Sequence, residues 1–211
     1  MNEQIKKHWN NVYDSKEINV LGWYEERFIP SLKLLNKCNI NKDEPVLDVG
    51  SGASTFIDSL IDERFTNIIV VDISEIVLNK LKKRLGKEKA SLVNWIVDDI
   101  TNPECINKLK DIALWHDRAL LHFLVKEEQR QTYFSTLKNI VKKGGYVIIA
   151  AFSLEGARKC SGLDVKNYDS KMLEEDLGEE FRLIQAFNYD YHMPSGDIRP
   201  YIYTLFKREM L

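Results

Sequence analysis

The chain has 211 residues, 44% of them hydrophobic, with 30 basic and 32 acidic side chains for a formal charge of -2. That is enough apolar material for one substantial core, and it offers no cationic excess to neutralise a run of phosphates, so nucleic acid is not expected as a partner. Cys38, Cys105 and Cys160 lie far apart with no CxxC pair and no histidine at ligand spacing, which argues against both a disulfide framework and a metal site. A reducing, cytoplasmic setting fits that usage. No apolar run has the length of a bilayer span and the first residues are polar, so the reading is a soluble, unexported protein with no membrane partner.

Residues 1–40 contain two helical stretches, "KKHWNNVY" and "YEERFIPSLKLLNKC", that precede the first strand and are expected to form an N-terminal lid segment; residues 41–211 form the main domain, and the whole is read as one compact unit. From "EPVLDV" onward, short β-branched runs alternate with amphipathic stretches: "TNIIVVD" then "SEIVLNKLKKRL", "LVNWIVDD" then a polar linker, "DIALWHD" then "KEEQRQTYFSTLKNIV", and then "KKGGYVIIAAF". Such alternation predicts a Rossmann-like, doubly wound α/β sheet with helices on both faces. The rhythm then changes. A short helix over "SKMLEEDLG" leads into "FRLIQAFNYDYH" and "IRPYIYTLFKR", joined by "MPSGD", which predicts an antiparallel hairpin. The expected sheet is seven-stranded and mostly parallel, with an antiparallel last strand.

The first strand ends in "VLDVGSGAST". Gly50 and Gly52 allow a tight turn into a helix starting near Ala53, with no side chain between the backbone and a ligand. No Lys-Ser/Thr pair follows, so this is not a phosphate-binding loop, and Thr55 stands where a nicotinamide site would prefer a third glycine. Twenty residues after Gly52, Asp72 closes the second strand, where its carboxylate can accept from both hydroxyls of a ribose. Asp98 or Asp99, ending the third strand, can accept from an adenine amino group. A glycine turn with strand-end acids and no cation describes an adenosine pocket without phosphates; singly, each acid could equally be a helix N-cap.

In order and spacing, "VLDVGSGAS", "VVDIS", "VDDIT", "ALWHD" and "VKKGGYVIIAAF" resemble the successive motifs of class I S-adenosylmethionine-dependent methyltransferases, and the terminal hairpin is similar to that family's reversed seventh strand. The resemblance spans about residues 44 to 207, with Ser54 where many members carry a further glycine. It implies S-adenosyl-L-methionine as cofactor and S-adenosyl-L-homocysteine as product. Asp48 and Gly50 would then face the amino-acid end, Asp72 the ribose, and Asp99 with Ile100 the adenine, with Ser51, Gly52, Ser54, Ile73, Asp98 and His116 also expected to bind the cofactor.

The methyl acceptor is expected at the C-terminal end of the fourth strand, where "WHDRALLHFL" gathers polar groups. Asp117 is the first choice for orienting substrate or taking a proton, His122 the second, with His116 and Arg118 beside them; an Asp–Arg ion pair holding the loop is the structural alternative. Trp23 and Tyr24 in the lid, Arg118, Cys160 and His192 are expected to complete the acceptor pocket. The expected acceptor is the O, N or S atom of a small molecule. "WHDRALLHFL" also loosely resembles a stretch of the protein-lysine methyltransferases, with Arg118 and Ala119 replacing its Lys and Gly, so a protein lysine is the alternative. A non-catalytic cofactor-binding scaffold is the third reading. A monomer or homodimer is expected.

Overall fold

The computed structural model describes residues 2–210. Helix α1 (Glu3–Ser15), a 3-10 turn and helix α2 (Ile29–Leu35) precede the sheet. Parallel strands β1 (Val46–Val49), β2 (Ile68–Asp72), β3 (Val93–Val97), β4 (Ile112–Arg118) and β5 (Val141–Phe152) alternate with α3 (Phe56–Asp62), α4 (Glu75–Ala90) and α5 (Glu127–Ile140). A two-residue hairpin, β6 (Lys159–Cys160) with β7 (Leu163–Asp164), follows; then come α6 (Ser170–Leu177), β8 (Phe181–His192) and β9 (Ile198–Arg208). The seven strands lie in the order β3-β2-β1-β4-β5-β9-β8. β9 runs antiparallel to both neighbours, so the last strand inserts between β5 and β8. Among the described residues no helix is long and apolar enough to cross a membrane.

β1 and β2 are buried along their whole length, as expected of strands covered on both faces. Alternate side chains divide the core in two. Val46, Leu114 and Ile148 join α2, α3 and α4 on one face, while Leu47, Val49, Trp115 and Val147 join α5 and α6 on the other. A third, smaller cluster of Tyr13, Leu21, Ala53 and Val77 seats α1 on the rim of the sheet. α3 starts at Phe56, three residues after the expected Ala53, because Gly50 and Gly52 both adopt positive φ and lengthen the turn. The β6–β7 hairpin, absent from the sequence reading, is too short to show periodicity.

Candidate active site

A cleft opens at the C-terminal ends of β1 to β4. Gly50 and Ser51 after β1, Asp72 and Ile73 at β2, Asp98 to Thr101 after β3, and Arg118 to Leu120 at the end of β4 line it, and α1 with the strap that follows it, residues 16–28, roofs it. The turn is glycine-built because neighbours sit directly on it. A Cβ on Gly50 would lie 2.1 Å from Leu120 Cδ1, and one on Gly52 would lie 2.6 Å from the Tyr13 hydroxyl.

Asp72 holds the turn from below. Its Oδ2 accepts from the Gly52 N–H and its Oδ1 from the Ser74 N–H, both at 2.8 Å. Burial pushes its carboxyl up to about 6, against the backbone bonds that favour the ionised form. Two backbone donors leave lone pairs on both oxygens for further acceptance. Asp98 is committed differently: its carboxylate accepts from the N–H groups of Asp99, Glu104, Cys105 and Ile106, so it organises the loop after β3. Asp99 accepts at Oδ1 from Thr101 and at Oδ2 from the Asn2 N–H (2.7 Å), which brings the start of α1 to this end of the cleft.

The "WHDR" cluster is separated by strand geometry. β4 runs through Arg118, so successive side chains point to opposite faces. His116 shares a face with its register partner Asp48 and is fully buried. Its Nδ1 lies 2.6 Å from Asp48 Oδ1, its Nε2 lies 2.8 Å from Ser31 Oγ, and its ring stacks on Phe56 at 4.0 Å. His116 is therefore a brace between α2 and Asp48, beneath the cleft, and not a group that reaches an acceptor. Asp117 points to the opposite face. There it accepts from the Leu120 and Leu121 N–H groups and from the Tyr133 hydroxyl, which in turn accepts from Trp115 Nε1. Burial raises its carboxyl to about 6, but the group lies outside the cleft, so the expected orienting or proton-accepting role is replaced by a structural one.

His122 is also corrected. It is fully buried between Phe123 and Phe152, and burial, then the charges of Arg118 and Arg199, lower it to about 3. Its Nδ1 accepts from the Phe152 N–H at 3.4 Å and the ring does not line the cleft, so it does not reach a substrate there. His192 is exposed on the outer strand β8, and its backbone pairs with Ile198. Cys160 is buried behind the cleft, its Sγ 3.0 Å from Arg199 Nη1, while Leu163 of the same hairpin is the residue that lines the cavity.

Arg118, Trp23 and Tyr24 do line the cleft. Arg118 donates from Nε to the Tyr203 hydroxyl (3.0 Å), from Nη1 to the Trp23 carbonyl (2.9 Å) and from Nη2 to the Glu25 carboxylate. Three successive carbonyls of the strap are thus held by three elements: Trp23 by Arg118, Tyr24 by the Tyr191 hydroxyl, and Glu25 by Thr55 Oγ1. Burial raises the Glu25 carboxyl, and the Arg118 charge opposes that rise.

A methyltransferase-domain family model matches residues 46–145, from the start of β1 into β5. That stretch is a methyltransferase domain, and the fold is that of S-adenosylmethionine-dependent methyltransferases. Among curated relatives, EEF1A lysine methyltransferase 2 of Danio rerio is 26% identical over 157 residues, covering 69% of this chain and 67% of the relative. The Mus musculus protein of the same name is 27% identical over 164 residues, covering 69% and 64%. The match thus spans about two thirds of those relatives' length. A methyltransferase from Anabaena variabilis superposes with a TM-score of 0.77 at 14% identity, covering 98% of this chain and 94% of that one. The Burkholderia thailandensis 1,6-didemethyltoxoflavin-N1-methyltransferase, solved with its acceptor and S-adenosylhomocysteine, gives 0.71 at 15% identity over 98% and 86%. These likenesses show the fold.

The residues present in this methyltransferase fit its cofactor, S-adenosylmethionine. Asp48 Oδ2 and Ser51 Oγ are buried polar atoms with no hydrogen-bond partner among the described residues, beside the glycine turn, and so are free to accept from or donate to a polar group bound there. Several contributors escaped the sequence reading. Trp9, Tyr13, Phe28 and Phe123 line the cleft, and Ser31 acts through His116; Glu25, expected to attract a lysine cation in the alternative reading, is instead paired with Arg118. Helical spacing of Trp9 and Tyr13 was a signal for a buried face, but only tertiary packing shows which face that is.

Proposed function

We propose that this methyltransferase transfers its methyl group to an O, N or S atom of a small molecule. The observation that carries this reading is the roofed acceptor end: the strap is pinned at three consecutive carbonyls, and aromatic side chains from α1, the strap and Phe123 wall the cavity. The cofactor supplies a methyl on a sulfonium; the protein's task is to align the nucleophile and exclude water, an effect worth up to ~7–11 kcal/mol. Asp48, Ser51 and the Gly50–Gly52 backbone would hold its amino-acid end, Asp72 the ribose, and Asp99 with the Ile100 N–H the adenine. His116 would position Asp48 through its bond to Oδ1. No side chain is assigned as a general base. An anionic nucleophile has no proton to lose and a neutral amine nitrogen sheds its proton to solvent after transfer, whereas a neutral hydroxyl would need a base.

The test is transfer from methyl-labelled cofactor in a cell extract separated by size. Label in the small-molecule fraction supports the reading. A second reading, methylation of a protein lysine, is favoured by the names of the curated relatives and would place the label in a protein band.

A further inference from the structure

The acceptor end of the cleft has a charge pattern that narrows the substrate class, an inference that rests on the small-molecule reading and deepens it. The carboxylates lining the cavity, Asp72, Asp98 and Asp99, all lie at the β2 and β3 ends. Toward β4, the one charged side chain among the described lining residues is Arg118, with Glu25 paired behind it. Because Arg118 and Glu25 neutralise each other, an ammonium acceptor would meet the sulfonium of the cofactor with no unpaired carboxylate at this end to attract it or take its proton. The carboxylate nearest in sequence, Asp117, faces the opposite side of the sheet.

The walls around that end are rings. Trp9 meets Phe123 edge-to-face with centroids 4.9 Å apart, and Trp23 stands nearly perpendicular to both Trp9 (5.9 Å) and Tyr13 (6.0 Å). Edge-to-face packing locks each ring through its neighbour. Trp9, Trp23 and Phe123 are only half-buried although they sit in the cluster, and all three line the cavity. Rigid, pre-oriented aromatic surface of this kind binds flat apolar bodies at low entropic cost. We infer that the acceptor is a planar ring compound whose nucleophilic atom is neutral or anionic when bound, held against the Trp9–Trp23–Phe123 wall, and that alkyl ammonium compounds are rejected.

The test uses the full chain saturated with S-adenosylhomocysteine, with its binding first measured by calorimetry. Indole, phenol and quinoline serve as ring probes, n-butylamine and Nα-acetyl-lysine amide as ammonium probes, and binding is followed by saturation-transfer NMR. The expected result is binding of at least one ring probe and neither amine. Trp23→Leu should weaken the ring probe by about tenfold and Trp23→Phe by much less, in variants whose melting transitions show that they are folded. Amine binding equal to or tighter than ring binding overturns the inference, as does failure of all ring probes on product-loaded protein or ring binding untouched by Trp23→Leu. Failure of S-adenosylhomocysteine itself to bind strikes the methyltransferase reading first, and the acceptor inference falls with it.

Discussion

Replacing Arg118 by methionine removes the latch between the sheet and the strap while keeping most of the side-chain volume. Its head group makes three hydrogen bonds, to Tyr203, Trp23 and Glu25, and its side chain and that of Glu25 are 2% and 8% exposed. Removing one partner of a buried pair costs ~3–5 kcal/mol because the other charge is left unpaired. In a domain of this size that corresponds to a fall in melting temperature of roughly 6–20 °C. The loss should depend on pH. Burial already raises the Glu25 carboxyl, and without Arg118 its folded value rises further above the unfolded one. A group raised on folding contributes stability that is full below its unfolded value and lost as pH climbs through its folded value. The Arg118→Met deficit should therefore shrink as the pH is lowered through about 4 and widen toward neutrality. Thermal melts across pH for Arg118→Met, Glu25→Gln and the double variant make the assay, and the double variant should recover part of the loss. A single variant melting within a degree or two of the parent at neutral pH would refute the latch.

Other outcomes follow from the same geometry. Asp72→Ala should weaken S-adenosylhomocysteine binding by ~1–3 kcal/mol, read by calorimetry; an unchanged affinity removes Asp72 from the ribose. Because the Asp72 carboxyl lies at about 6 and accepts hydrogen bonds best when ionised, affinity should decline as pH falls through that value, and a flat profile from pH 5 to 8 contradicts it. Asp117→Asn should leave turnover within about tenfold of the parent, as expected for a loop-organising carboxylate outside the cleft; a hundredfold loss with unchanged melting would return it to the chemistry. Gly52→Ala forces a side chain into positive φ and against the Tyr13 hydroxyl, so both melting temperature and cofactor affinity should drop, with about 1–2 kcal/mol lost from stability.

Much of this protein was legible from local pattern. Strand–helix alternation, the glycine turn followed by Asp72, and the terminal hairpin are each encoded within a few residues of one another, because pleat, turn and helix periods are local constraints. Ser51, Asp72, Asp99 and Arg118 fall at the cleft for the same reason: each sits at or just past a strand's C-terminal end. In the sequence reading the fourth strand ends at Asp117 and "WHDR" stands as a single cluster, with the strand period not applied to it. Once β4 extends through Arg118, the two-residue period sends His116 and Arg118 to one face and Asp117 to the other. Local sequence also could not show that Glu25, Ser31, Tyr191 and Tyr203, up to 167 residues away from their partners, pin Arg118, His116 and the strap. Those pairings exist only after the strap, α2 and the reversed β9 close on the strand ends. A buried side chain takes its role from whichever distant donor or acceptor the packing brings to it.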